Sequence, residues 1–440
     1  MKQNTACKSR SAESLFIKYV SQNILGMIGI SAYVLADTFF ISRAEGADGI
    51  TALNLVLPLY SLIFAIGNMI GIGSATRFRI LRAQKKESAD LYFSNAVLFA
   101  LAFSLIFILA GICIPHKIVV FLGGDARITE VGTPYTRIFL CFAPFFMWNY
   151  IFNAFVRNDG NPSIAMAATL FSSLFNIVMD YVLMFPLGMG MSGAALATAI
   201  SPIVGICICS LHFLGKKNSI RFVPGKPSIK RLAASCQLGI SAFIGEMSSG
   251  VTTIVFNFLI LRIAGNIGVA AYGVVANTAI VANSIFNGIA QGSQPLFSEF
   301  YGRRDLSSVK KVLRMSAACA VALAVLLLLS INLFAGQITD VFNSEKNPEM
   351  AAYAITGLRL YFTGFLFAGF NIAATGYFSA TAAARQAFLC SILRGFAAII
   401  VCAFVLSALF KMTGVWLAFP AAELITLFFI LYHLRAGLRA

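Results

Sequence analysis

The sequence predicts an all-α integral membrane protein: about twelve transmembrane helices in two parallel six-helix lobes, related by a pseudo-twofold axis along the membrane normal. Three observations predict it. Of 440 residues, 59% are hydrophobic and 11% charged, whereas an average soluble domain is roughly 45–50% apolar and about 25% charged. Apolar runs long enough to cross a bilayer recur along the chain, and its second half repeats its first. This composition excludes an ordinary water-soluble enzyme and a disordered protein. The runs are too long, and too free of alternation, for a closed barrel.

A helix needs about 20 apolar residues to cross the hydrocarbon core. Residues 1–14 are polar and basic without a signal-type cleavage pattern, and the first run is too long for a signal core, so it stays as a span. Six runs lie near 16–42, 51–76, 92–114, 133–156, 163–185 and 190–214. Six more lie near 235–261, 270–296, 312–334, 352–379, 386–409 and 413–433. The expected organisation is an N-lobe over 1–216, a basic linker over 217–234 and a C-lobe over 235–440. Pro58, Pro144, Pro202 and Pro420 fall within spans and are able to kink them.

The formal net charge is +16. Twelve spans put both termini on one side. Of the 33 Lys and Arg, 24 fall on that side, 8 on the opposite side, and Arg394 lies inside a span. The bias places both termini in the cytoplasm and accounts for the positive charge without nucleic acid. The nine cysteines, Cys7 among them, form no CxxC pair, against a disulfide framework or zinc site. Cys207, Cys209 and His212 lie close together near a span end, but buried cysteine commonly acts as a small hydrophobe.

Shifted by 219 residues, the stretch 39–78 aligns without a gap on 258–297. The matches include Phe39/Phe258, Arg43/Arg262, Gly46/Gly265, Gly49/Gly268, Asn68/Asn287, Gly73/Gly292 and Phe78/Phe297. Further on, Asn149 matches Asn371 at a shift of 222, and the stretch from Gly193 matches that from Gly414 at 221. Each repeat holds an even number of spans, so both halves enter the membrane in the same direction. Parallel repeats belong to alternating-access transporters, with the substrate path between the lobes. A passive channel would more often be a symmetric oligomer.

Four of the seventeen acids fall inside spans: Asp37, Asp180, Glu246 and Glu423. Each costs roughly 2.5–3.5 kcal/mol at a helix centre, so such residues face a cavity or a partner. Asn176 precedes Asp180 by one turn on the same face, and Ala194 and Thr198 stand in the same relation in the next span. With Asp37 these residues offer two carboxylates, an amide oxygen, a hydroxyl and a backbone carbonyl. All-oxygen ligation suits a hard cation, here a monovalent one by extension. The same close carboxylates could instead share a proton, or simply join neighbouring helices. Glu246 has Met27 as its repeat counterpart and Asp37 has Phe256, so the lobes do not share their acidic chemistry. Glu246 could hold a proton or a cationic substrate, or pair with Arg394. A structural role is expected for Glu423 and a helix–helix contact for Arg394. Asn149 and Asn153 either line the cavity or join helices. Aromatic residues suit flat cationic compounds through cation–π contact, although most phenylalanines face lipid. The isolated His116, His212 and His433 and the scattered loop acids speak against a membrane-embedded transferase.

Ala36-Asp37-Thr38-Phe39-Phe40-Ile41, Pro58-Leu59, Gly71-Ile-Gly73-Ser74-Ala75, Arg157-Asn-Asp-Gly-Asn161-Pro162, Gly193-Ala-Ala-Leu196-Ala197-Thr198 and Gln294-Pro295 occur in this order. Together with the repeat, they make the chain resemble the multidrug and toxic compound extrusion (MATE) family, in its MepA-like bacterial branch, over essentially its full length. The resemblance implies a V-shaped, non-enzymatic, monomeric exporter in the bacterial inner membrane. It implies export of cationic organic compounds in exchange for Na+, H+ or both, with no covalent cofactor. It assigns the N-lobe cation site to Asp37, Asn176, Asp180, Ala194 and Thr198, and polar cavity positions to Asn149 and Asn153. The chain departs from the branch whose C-lobe carries acids in both the seventh and tenth spans: no acid lies within 352–379, and Glu246 only partly replaces that site. The alternative is a flippase or exporter of a lipid-linked or other endogenous substrate in the same superfamily.

Overall fold

Helix α1 (Ala12–Ala83) is 72 residues long, about 108 Å if straight and far more than one crossing requires. It is not straight. Gly46 has φ 60° and ψ −143°, a region essentially reserved for glycine. Beyond it the chain turns back, and a Cβ at Gly49 would lie 3.1 Å from Cγ2 of Ile41, whereas eight residues of straight helix span about 12 Å. The 74-residue α8 (Ile229–Gly302) does the same at Gly265, with φ 61° and ψ −156°. Its arms meet through Phe256 and Tyr272, whose rings stack at 5.4 Å. The two breaks are related by the 219-residue shift.

The computed structural model describes residues 11–216, 218–224, 226–343 and 346–437. Lys2, Cys7, Lys8, Arg10, Lys217 and Arg439, used in the charge and cysteine readings, lie outside the described residues. The first half continues with α2 (Asp90–Cys113), α3 (Pro115–Phe121), α4 (Ala126–Cys141), α5 (Ala143–Asn158), α6 (Pro162–Met184) and α7 (Gly190–Ser210). After α8 come α9 (Leu306–Phe342), α10 (Pro348–Tyr361), α11 (Phe365–Ala380), α12 (Ala384–Ile392) and α13 (Ala398–Gly437). Among the described residues nine helices are long and apolar enough to span, and ten if the bent pair α4–α5 forms one. Two of the nine, Ile229–Gly302 and Ala384–Arg435, fold back on themselves, which brings the crossings to twelve.

The expected fourth span is broken rather than continuous. α4 and α5 meet at 49° around Phe142, where Pro144 enters the first turn of α5 and cannot donate a hydrogen bond. The tenth runs on from Pro348 to Ala380 and only tightens to a 3-10 turn at Phe362–Gly364, at the repeat-related place. Pro58, Pro202 and Pro420 instead sit inside helices whose dihedrals stay helical through them. In α13 the turn falls on Lys411, with φ 51° and ψ −129°, a conformation a side chain adopts only at a cost of about 1–3 kcal/mol. Lys411→Gly is therefore expected to stabilise the purified protein by about 1 kcal/mol after the added unfolded-chain entropy. A thermal melt in detergent reads this, and an unchanged or lower melting temperature would count against strain at Lys411.

Each half has its own core. One cluster runs from Ile41 to Ile220. The other is built from α8–α13 and receives Phe16, Tyr19 and Val20 from the start of α1. The halves pack chiefly through α1 and α8. Their closest approach is on the face carrying the linker and the chain ends, where a Cβ on Gly73 would lie 2.7 Å from the carbonyl carbon of Ser235. A Cβ on Gly292, the repeat mate of Gly73, would lie 2.7 Å from Cα of Val20. Polar ties reinforce this face: Gln294 donates to Thr76 at 2.8 Å, and Arg157 donates to Asn23 and Gln291 at 3.0 and 2.8 Å. Arg79 pairs with Glu299, and Lys311 with Glu13 at 2.5 Å. Arg157, expected in a link, is thus buried in the interface. Ser31 and Ser284 hydrogen-bond at 2.6 Å deeper in. At the opposite end, nothing lies within 4 Å of a Cβ placed on Gly46, Gly265 or Gly273.

The expected linker becomes helical at Ile229, and the stretch before it is bound to the first half. Arg221 N donates to Asp90 at 3.2 Å, Val223 N to Ser94 at 2.8 Å and Ser228 N to Asn95 at 2.7 Å. Asp159 accepts from Ser219 N at 2.7 Å and holds His212 at 2.8 Å.

Candidate functional site

Asp37 comes from the first arm of α1, two turns before the Gly46 break. Asn176 and Asp180 come from α6, and Ala194 and Thr198 from α7. α6 and α7 are antiparallel neighbours, so residues one turn apart on each share a layer. Phe40 ties α1 to this pair through ring contacts with Tyr181 and Phe185 at 6.2 and 6.0 Å. Glu45 adds an anchor, accepting from Met191 N at the start of α7 at 3.2 Å. The five residues gather in one buried place: Asn176, Asp180 and Ala194 are 0% exposed, Thr198 6% and Asp37 9%.

The hydrogen bonding leaves room for a guest. With its NH2 towards Asp180, the Asn176 amide donates to Oδ2 at 3.2 Å, and its oxygen accepts from Thr198 N at 3.3 Å. Oδ1 of Asp37 and Oδ1 of Asp180 are buried with no hydrogen-bond partner. Asp37 is also close enough to Asp180 for their charges to interact. Two buried carboxylates with orphaned oxygens, near enough to interact, attract a cation, since an unpaired buried anion is costly. The donor set, carboxylates with amide, hydroxyl and carbonyl oxygens, is that of a hard cation.

The remaining expected residues separate. Glu246 is half-buried and accepts from Asn68, across the lobes, at 3.2 Å. It does not pair with Arg394, because Arg394 reaches Glu423, with Nε 2.5 Å from Oε1. Glu423 and Arg394 therefore satisfy each other inside the second half. Asn153 gives its amide hydrogens to Ala165 O and Thr169 on α6, at 3.2 and 2.9 Å, and so joins helices. Asn149 turns its oxygen to α7 beside Gly205. Cys207 is exposed, Cys209 buried, and His212 bonded to Asp159. No cluster of three His, Cys, Asp or Glu side chains able to hold a metal forms among the described residues.

Sequence reasoning missed the tyrosines. Tyr33 lies within electrostatic reach of Asp37, Asp180 and Glu246, and Tyr150 within reach of Glu246 and Tyr33. Tyr60 and Tyr135 bond through their hydroxyls, within electrostatic reach of Asp37. Nothing in their spacing marks them. Asn68 carried a signal, its identity with Asn287 in the repeat.

Two repeat-related halves of membrane-spanning helices, with unpaired acids buried in the first, point to a membrane transporter. The MatE family model matches residues 23–182 and 242–405, one stretch in each lobe, and the chain belongs to the MatE family. It is similar to the multidrug export protein MepA of Staphylococcus aureus strain MSSA476, with 28% identity over 94% of this chain and 92% of that protein. The MepA protein of Staphylococcus saprophyticus is 27% identical over 91% and 89% of the two chains. In fold, the protein is similar to an outward-facing MATE transporter of the MOP superfamily, with a TM-score of 0.88, 20% identity, and 97% and 96% of the chains covered. It is equally similar to a MOP superfamily transporter from Pyrococcus furiosus described as having a binding pocket of reversed polarity, with a TM-score of 0.89.

Proposed function

We propose that the protein is a secondary multidrug antiporter of the bacterial inner membrane, acting as a monomer with both termini in the cytoplasm. It expels cationic amphipathic compounds in exchange for Na+ or H+. The observation that carries this reading is the pair of orphaned oxygens on Asp37 and Asp180, buried in a set of oxygen donors beside the inter-lobe cleft.

The cation binds between α1 and the α6–α7 pair, held by Asp37, Asn176, Asp180, Thr198 and the carbonyl of Ala194. By cancelling one of the two negative charges it weakens the attraction for a positively charged drug and draws the first arm of α1 towards α6. Drug occupies the cleft before the cation arrives, against Tyr33, Tyr150, Asn149 and the Glu246–Asn68 pair, where acid and aromatic faces favour a flat cation. Coupling then follows because the cation prefers one lobe arrangement and the drug the other. With the linker face cytoplasmic, the arrangement described is closed to the cytoplasm and open outward.

The test is purified protein in liposomes, with a fluorescent cationic dye followed under an imposed Na+ gradient and then under a proton gradient. Transport under either establishes antiport, and the effective gradient names the ion. No dye movement in either, with folded protein, would overturn this reading and favour a lipid-linked or endogenous substrate.

A further inference from the structure

The pseudo-twofold gives every residue of the N-lobe cation site a counterpart in the C-lobe. At the repeat offsets of 219, 222 and 221, Asp37, Asn176, Asp180, Ala194 and Thr198 map onto Phe256, Ala398, Cys402, Val415 and Phe419. All five counterparts are buried in one hydrophobic cluster. None of these five side chains offers an oxygen to a hard cation.

One turn deeper, the lobes differ in a second way. In the N-lobe, the layer next to Asn176 and Thr198 is closed by a neutral bond, Ser172 donating to Ser201 O at 2.6 Å. In the C-lobe, Arg394 precedes Ala398 by one turn and Glu423 follows Phe419 by one turn, so the two meet in the corresponding layer. There a buried carboxylate is complete: Oε1 of Glu423 faces Arg394 Nε at 2.5 Å, and Oε2 accepts from Asn371 at 2.8 Å. Both lobes thus pair a buried carboxylate with an asparagine amide, but only the N-lobe carboxylates leave oxygens unpaired. Arg394 sits in a π-helical turn, Leu393–Ala397, an irregularity that often accompanies functional sites. Its side chain keeps 25% of its surface exposed.

We propose that Arg394 is a tethered cation. Its guanidinium occupies permanently, at Glu423, the role that a mobile cation fills at Asp37 and Asp180, so the transporter exchanges a cation in one lobe only. The C-lobe follows the N-lobe mechanically and takes up no ion of its own. This rests on the antiport reading and deepens it to one mobile-cation site per chain.

The test counts ions. Sodium-22 binding to the purified transporter, and proton release on adding tetraphenylphosphonium, are measured in the wild type, Asp180→Asn, Glu423→Gln, Arg394→Gln and the double variant Arg394→Met/Glu423→Gln. The wild type should show one site by whichever probe responds, Asp180→Asn none and Glu423→Gln still one. Arg394→Gln uncovers Glu423 and should gain a second site. Removing one partner of a buried pair can unfold a protein, whereas replacing both is often neutral. The double variant therefore keeps the idea testable, and should retain one site and transport within about twofold of wild type. Two sites in the wild type, one of them lost in Glu423→Gln, would overturn the proposal and leave antiport standing. So would loss of coupling in a folded double variant, or no gain in a folded Arg394→Gln. Cation binding that survives Asp180→Asn intact, by contrast, would defeat the N-lobe reading itself.

Discussion

Asp37→Asn abolishes gradient-driven efflux while leaving a folded, membrane-inserted protein. The carboxylate makes no hydrogen bond through Oδ1, so an isosteric amide breaks little that holds α1 in place. What it removes is charge at the one place where α1 can share a cation with α6 and α7. Coupling energies between two ligands are typically about 1–3 kcal/mol, or roughly 5–150-fold. Losing that term brings the dye concentration ratio across a loaded vesicle to unity. Asp180→Asn should do the same, and the double variant should be no worse, because residues acting as one site are not additive. Thr198→Ala, which removes one neutral donor, should cost only severalfold. Full dye extrusion by Asp37→Asn at normal expression would end the mechanism proposed for this site.

The second large effect is steric. Gly73→Ala places a methyl within 2.7 Å of the Ser235 carbonyl carbon, and Gly239→Ala does the same towards that of Met69. Both obstacles are backbone, with no rotamer to move to. Overpacking costs about 1–3 kcal/mol or more, and here it falls only on the arrangement closed at the linker face. Each variant should shift the population by roughly 5–150-fold towards the opposite arrangement and depress efflux accordingly. Spin-label distances across the linker face would show it as a longer mean separation. Gly336→Ala is the control, since nothing lies within 4 Å of its Cβ. Wild-type distances in both Gly73→Ala and Gly239→Ala would remove the backbone contact from the switching mechanism.

How much of this was legible in the sequence differs from place to place. The hairpins at Gly46 and Gly265 could be read, because the repeat aligns two glycines and only glycine adopts those dihedrals readily. The gathering of Asn176 with Asp180 and of Ala194 with Thr198 followed from helical spacing. That Asp37 joins them depends on how α1 is rotated, which neighbouring helices set and apolar composition does not record. The same limit hid the partners of Glu246 and Arg394. Both are in-span charges that need relief, but Asn68 lies 178 residues from Glu246 and Glu423 lies 29 from Arg394, and no local pattern chooses between such candidates. The turn at Lys411 fell in the gap read between the runs 386–409 and 413–433, but its backbone conformation did not show, because the residue there is one that conformation disfavours.

The linker segment has a mechanical consequence. Ser228 caps α8 and is hydrogen-bonded in both directions to Asn95 of α2, so the first helix of the second lobe is pinned at its root to the first lobe. Its first arm, Ile229 to Gly265, is about 54 Å long. A swing of about 10° around that root carries the far end through roughly 9 Å while the root stays in place. The motion is that of a lever: Ser235, seven residues from the root, shifts by only about 2 Å, enough to release its contact with Gly73, while the far end at Gly265 sweeps through the full arc.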